Sequence, residues 1–222
     1  MCGRFTITLE APDLQEGLGI TELPPDWMPR YNVAPTQPVA AVLDLQSRRA
    51  EWLRWGLIPS WAKDPSIGDR LINARAETLS EKPSFRQAFA RRRCLILADG
   101  FYEWQRSAGQ KGPAQPFHFF RKDKKPFAFA GLWETWKPPE GELIRSCTII
   151  TCSANEVVAP VHDRMPVILS GESLWKWLEP AGLDVLAGFL KPYPADWMMA
   201  VPISKLVNNA RLDSPDMLRP AA

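Results

Sequence analysis

Nine short β-type runs recur between Pro/Gly breaks spread through the 222-residue chain, at residues 39–43, 52–57, 94–98, 101–104, 117–121, 127–132, 147–151, 166–169 and 198–201. Runs this short and this numerous fold into a sheet that must curl to bury one face. Helical signals are fewer. Ser84 is placed to cap a helix through Phe85, Ala88 and Phe89 into Arg91, Arg92 and Arg93, and Ser153 with Glu156 has capping-box spacing. Residues 174–178 and 183–190 read as amphipathic helix. The pattern predicts an α+β fold, a curled, mostly antiparallel, barrel-like sheet flanked by a few helices. With no repeat, low-complexity stretch or linker in sight, residues 1–222 are expected to form a single domain.

Composition narrows the class. With 45% hydrophobic against 23% charged residues the chain can close a sizeable core, which excludes a disordered tail or a fibre. Its apolar runs are too short to cross a bilayer, and Met1-Cys2-Gly3-Arg4 is no apolar signal region, so a cytoplasmic protein without membrane contact is expected. Lys+Arg total 27 and Asp+Glu 25, leaving a formal charge of +2 and no global field toward nucleic acid or lipid, so any polyanion site must be local. Cys2, Cys94, Cys147 and Cys152 allow three pairings, but a chain of this size without an export signal keeps them reduced, and Cys94 and Cys147 open apolar runs as small core residues. Only His118 and His162 are present and no CxxC occurs, so neither a zinc site nor another cofactor is expected.

The amino terminus is the most informative place. Initiator-Met removal is favoured by a small second residue, and it would leave Cys2 as a 1,2-aminothiol. At pH 7 roughly a tenth to a fifth of an α-amine is neutral, against about 0.04% of a lysine, so the group is a ready imine former. A neighbouring thiol can close such an imine into a five-membered thiazolidine. Many chains also begin Met-Cys by chance. Three clusters bear on the choice. In Leu71-Ile72-Asn73-Ala74-Arg75-Ala76-Glu77-Thr78, Asn73 can donate and accept and Arg75 can fork onto a phosphate, or the stretch is a turn into a helix. In Ala98-Asp99-Gly100-Phe101-Tyr102-Glu103-Trp104, Glu103 is either desolvated for acid/base work or a solvent-facing strand residue. In Pro160-Val161-His162-Asp163-Arg164-Met165-Pro166, His162 is a proton donor near neutrality or an ordinary loop residue, whereas His118 reads as structural or surface.

Together these clusters resemble the SRAP (SOS-response-associated peptidase) family, the abasic-site processing proteins that cross-link themselves to single-stranded DNA. The matching stretches are MCGRF (1–5), RYNVAPTQ (30–37), RWGLIPSW (54–61), INARAET (72–78), ADGFYEW (98–104) and VHDRMPVIL (161–169), with PISKLVNN (202–209) as a closing segment. Residues 172–197 carry only generic helical pattern.

The resemblance implies that Cys2 is the nucleophile, its amine forming a Schiff base with the ring-opened deoxyribose aldehyde and its thiol closing the thiazolidine. Asn73 would hold the sugar end of the adduct, Glu103 would shuttle protons, and His162 would protonate the sugar ring oxygen or the 3′-side group. Elimination from the imine would give weak lyase activity as a side reaction. Matching positions make Arg4, Arg75 and Arg164 phosphate contacts, Pro35 and Trp61 wedges or stacking surfaces, and Thr151 a backbone contact in a groove for single-stranded DNA with abasic sites. The Trp61 ring could equally be core, and Arg91-Arg92-Arg93 reads as a solvated helix end favoured by its dipole. Two other functions compete: a peptidase using Cys2 with His162 and Glu103 or Asn73, minimally removing Met1, and a non-covalent reader of modified DNA. A monomer is expected, associated with the nucleoid when on DNA; replication machinery is a conceivable partner that no motif identifies.

Overall fold

The run at 127–132 continues to residue 136 as a 10-residue strand, buried along both faces for its first six residues, and the rest of the molecule is arranged around it. In the computed structural model, which describes residues 2–106 and 114–221, the strands and helices in chain order are β1 (Phe5–Ile7), α1 (Ala11–Leu18), β2 (Arg30–Val33), β3 (Pro38–Val42), β4 (Ala50–Trp55), β5 (Asn73–Arg75), α2 (Arg86–Arg91), β6 (Arg93–Ala98), β7 (Gly100–Gln105), β8 (Gln115–Arg121), β9 (Phe127–Trp136), β10 (Ile144–Ser153), β11 (Arg164–Pro166), β12 (Ile168–Leu169), α3 (Glu172–Lys176), α4 (Leu183–Ala187) and β13 (Met198–Pro202). Met1, whose removal the sequence suggests, lies outside the described residues.

Five strands close a ring. β3 pairs antiparallel with β4 and β6, β6 with β9, and β9 with β10, while β10 returns parallel to β4 through Ser146↔Arg54 and Cys147↔Trp55. Closure removes the free edges of these strands. A Cβ at Gly131 would lie 2.8 Å from Cys94 Sγ and from Ile96 Cδ1, so the close approach of β9 to β6 needs a glycine there. A second sheet, in the order β13-β8-β7-β1-β2, packs on this ring. Phe5 from that sheet lies edge-on to Trp55 and Phe129 of the ring at 5.2 and 5.5 Å between centroids, so one aromatic layer joins the two. All four cysteines are buried and free, and among the described residues no helix is long and apolar enough to cross a membrane.

The structure corrects several local expectations. The helix expected from Ser84 through Arg93 is shorter: α2 starts after Phe85, with no side-chain cap, and Arg93 already belongs to β6. Nor is Arg93 a solvated helix end. Its buried guanidinium donates to the carbonyls of Phe89, Ala90, Trp177 and Glu179, closing the orphan acceptors at the end of α2 and tying α3 to the ring. Arg92 pairs with Glu134 at 2.7 Å. No helix follows Ser153; Asn155 takes the capping role instead, its Oδ1 accepting the backbone N–H of Val157 and Val158 in a turn. The run 166–169 divides at Val167. Past the Ile149↔Gly131 pair, β9 and β10 splay, and β11 pairs with β10 while β12 pairs with β9. Val167 bridges the gap, donating to Ile150 O (2.8 Å) and accepting from Ala130 N–H (2.9 Å).

Candidate active site at the amino-terminal strand

Cys2 leads into β1 and is fully buried. β1 lies between β2 and β7, and Arg4 fixes its entry: the carbonyl of Arg4 accepts from Tyr102 N–H at 3.0 Å and from the Cys2 thiol at 3.7 Å. Its guanidinium reaches inward, Nη1 donating to Asn32 Oδ1 (2.9 Å) and Val207 O (2.8 Å). Asn32 then donates to Asn209 O and Leu212 O, which clamps the C-terminal segment over the amino terminus. Arg4 thus braces the amino terminus through Nη1 while its side chain stays partly exposed.

The three-residue strand β5 delivers Asn73. It runs parallel to β10, with Asn73 beside Ile149 and Arg75 beside Thr151, and the Asn73 amide Nδ2 donates to the Cys2 carbonyl at 2.9 Å. Asn73 Oδ1 is buried without a hydrogen-bond partner among the described residues. Such an acceptor is costly to leave unused unless a ligand fills it.

Glu103 is buried on β7, and desolvation pushes its carboxyl up to about 7 against the pull of the positive charge at the chain's amino terminus. Of the two readings its strand allows, the desolvated one holds. Burial first, and then the Glu103 charge, push the Cys2 thiol well up, so it stays protonated near neutrality. His162 sits half-buried in the loop before β11, where its Nδ1 accepts the backbone N–H of Arg164 at 3.0 Å. The same Nδ1 lies 3.0 Å from Asp163 Oδ1, so a donor and an acceptor both face it. Burial, and then the amino-terminal charge, hold its pKa below the ordinary value, while Asp163 pulls the other way. Gln105 on β7 donates to Pro160 O, tying the two elements together. A cavity of about 530 Å³ between them is lined by Glu103, Trp104, Arg106, Val161, His162 and Asp163.

The structure therefore brings Cys2, Asn73, Glu103 and His162 onto neighbouring elements around one entry. Beside them lie Arg75, exposed on β5, and Arg164 on β11. Thr151 is fully buried, so it offers no surface to a strand; its carbonyl accepts from Arg164 Nη2 at 2.7 Å. Pro35 is half-buried in the turn between β2 and β3, and Trp61 is 58% exposed, which rejects the core reading of that ring. His118, expected to be structural or surface, is structural: it is half-buried, desolvation pushes its pKa down to about 3, and it lies 3.1 Å from Thr6 Oγ1. Asp99, Asn32 and Glu77 were not singled out, although each stands inside a motif quoted above. Their signal was a polar residue in an otherwise apolar or turn-forming stretch. Among the described residues no group of three or more His, Cys, Asp or Glu side chains gathers as a metal site.

The chain is 47% identical to the abasic site processing protein YoqW of Bacillus subtilis (strain 168) over 98% of its own length and 99% of the other. It is 32% identical to the abasic site processing protein HMCES of Rattus norvegicus, covering 100% of this chain and 76% of that one. Crystal structures of proteins from Bacteroides thetaiotaomicron and Bordetella bronchiseptica superpose with TM-scores of 0.79 each, at 29% and 28% identity; the first covers 86% of this chain and 85% of that chain, the second 91% and 100%. Since the family profile described as SOS response associated peptidase (SRAP) also spans residues 1–210, the chain belongs to the SRAP family.

Proposed function

We propose that this protein processes abasic sites in single-stranded DNA by bonding covalently to them through Cys2. With Met1 removed, the Cys2 amine attacks the aldehyde carbon of the ring-opened deoxyribose. The carbinolamine loses water to give an imine, and Sγ then adds to the imine carbon while its proton passes to nitrogen, closing a thiazolidine. Glu103, titrating near 7, takes protons from the attacking amine and returns one to the departing hydroxyl. His162 gives a ring proton to the sugar ring oxygen, which opens the ring to the aldehyde. Asn73 holds the Cys2 carbonyl and offers Oδ1 to the adduct. Arg75 and Arg164 carry phosphates, and the exposed Trp61 ring and Pro35 stack beside the lesion. The same reading takes residues 1–222 as one domain acting as a monomer, with strand cleavage from the imine as a slow side reaction.

The observation that supports this reading best is the Asn73–Cys2 hydrogen bond beside a buried carboxyl that titrates near neutrality. The names of the YoqW and HMCES relatives point the same way. A second reading, self-removal of Met1 by a peptidase built on Cys2, has the family description behind it. Peptide substrates without DNA separate the two. The direct test is Cys2→Ala, mixed with an abasic oligonucleotide and run on a denaturing gel. The variant is expected to lose the heat-stable band entirely while holding lesion-free strand within about threefold of wild type; a heat-stable band from Cys2→Ala would overturn the assignment.

A further inference from the structure

The guanidinium of Arg164 is occupied by another part of the same chain. Glu77, on the short turn Ala76–Thr78 that follows β5, accepts from Nη1 and Nη2 at 2.6 and 2.9 Å in the end-on, two-pronged geometry that a phosphate would use. Nη2 also donates to Thr151 O, and Nε is buried without a partner among the described residues. Of five N–H groups three are engaged, and besides the buried Nε–H one on Nη1 remains for an incoming oxyanion. A phosphate can grip this fork only where Glu77 now grips it. The carboxylate is easy to displace: the Glu77 side chain is 52% exposed, against 14% for Arg164. Arg75, the other cation on this rim, also acts on it; the Arg164 hydrogen bonds, with smaller contributions from the charges of Arg164 and Arg75, hold the Glu77 carboxyl below its ordinary value.

We infer that Glu77 is an exchangeable internal anion, whose carboxylate holds the Arg164 fork in the free protein and gives way to a backbone phosphate when a single strand loads. The inference rests on the proposed DNA-processing role. It assigns Glu77 a positioning function: the fork is kept ordered before DNA arrives, and affinity for undamaged strand is kept down because every loading must break an ion pair.

The test is fluorescence anisotropy with a labelled, lesion-free single-stranded oligonucleotide at low salt, on wild type, Glu77→Gln, Arg164→Gln and the double variant. Glu77→Gln is expected to bind about twofold to fivefold tighter than wild type, the range set by a half-exposed ion pair. Arg164→Gln is expected to bind more weakly, and the gain from Glu77→Gln is expected to vanish when Arg164 is absent. Unchanged or weaker binding by Glu77→Gln at a wild-type melting temperature would overturn the inference. So would a gain that persists in full without Arg164, since that reports only the loss of one negative charge. If the glutamine variant melts early, Glu77→Ala carries the same expectation. Failure of wild type to hold the strand at all would overturn the DNA reading beneath it.

Discussion

Two polar clusters stand at opposite ends of the ladder formed by β1 and β7, and they are built from similar parts. At one end Asp99, His118, Thr6 and Thr8 meet. Asp99 Oδ1 accepts from Thr6 Oγ1 at 2.6 Å, and Oδ2 accepts from Thr8 N–H and Oγ1 at 2.5 and 2.7 Å. Because the one hydroxyl proton of Thr6 goes to Asp99, His118 Nε2 must be the donor to Thr6 Oγ1. Gly100 makes the fit possible: a Cβ there would lie 2.1 Å from His118 Nε2 and 2.7 Å from Thr6 Oγ1. At the other end Cys2, Asn73, Glu103 and His162 meet beside a cavity, with Asn73 Oδ1 still unpartnered among the described residues. Both ends hold a carboxyl raised by desolvation, and at the first its donors come from Thr6 and Thr8, at the start and end of the segment it faces. A satisfied cluster holds β1 in place. The cluster with an acceptor to spare is the one proposed to receive a substrate.

The strongest way to break this comparison is to exchange one carboxyl at each end for its amide. Glu103→Gln is expected to slow adduct formation about 100-fold, the scale of a lost acid/base group, while leaving the melting temperature near wild type. Asp99→Asn is expected to do the reverse, lowering stability by about 1–3 kcal/mol because its amide faces hydroxyl donors, with little effect on the rate of the material that stays folded. Rates from single-turnover gels and stabilities from denaturant melts decide it. Equal effects on both readouts at both positions would erase the distinction.

A smaller effect sharpens it. The pKa of His118 in the folded chain is about 3, below its ordinary 6.5, so across that interval the folded state binds fewer protons than the unfolded one. Stability from this group is therefore present above about 6.5 and is lost as pH falls toward about 3. The raised carboxyl of Asp99 contributes with the opposite sign, but it does so with or without the histidine. His118→Asn is expected to flatten the acid side of the melting-temperature profile relative to wild type. Parallel profiles would mean that the ring is not held neutral.

Much of the frame was legible because hydrophobic burial writes itself into apolar runs: β6, β9 and β10 were visible as CLILA, FAFAGL and CTIIT. The elements that position the site were not. β1 and β5 are three residues each, too short to show a period, and β5 holds Asn73 and Arg75 by pairing with a strand that lies some 75 positions on in the chain. Asn73, Glu103 and His162 stand out through their motifs, yet composition does not decide whether Glu103 faces water, since that depends on what covers β7. Arg4 and Arg164 looked alike as cations in a motif. Their partners, Asn32 for one and Glu77 for the other, come from distant segments, and only the fold shows that one is a brace and the other an occupied fork. Arg93 misled for the same reason, its four carbonyl partners being split between α2 and residues 177–179.

The central claim is that nitrogen and sulfur of Cys2 together capture a damaged sugar, and intact mass spectrometry tests it most directly. Protein lacking Met1, mixed with an abasic oligonucleotide and denatured, is expected to appear at the summed mass of chain and strand less one water, and to keep that mass after heating. A spectrum showing only separate protein and strand, with Met1 verified absent and the abasic site verified present, would contradict the account.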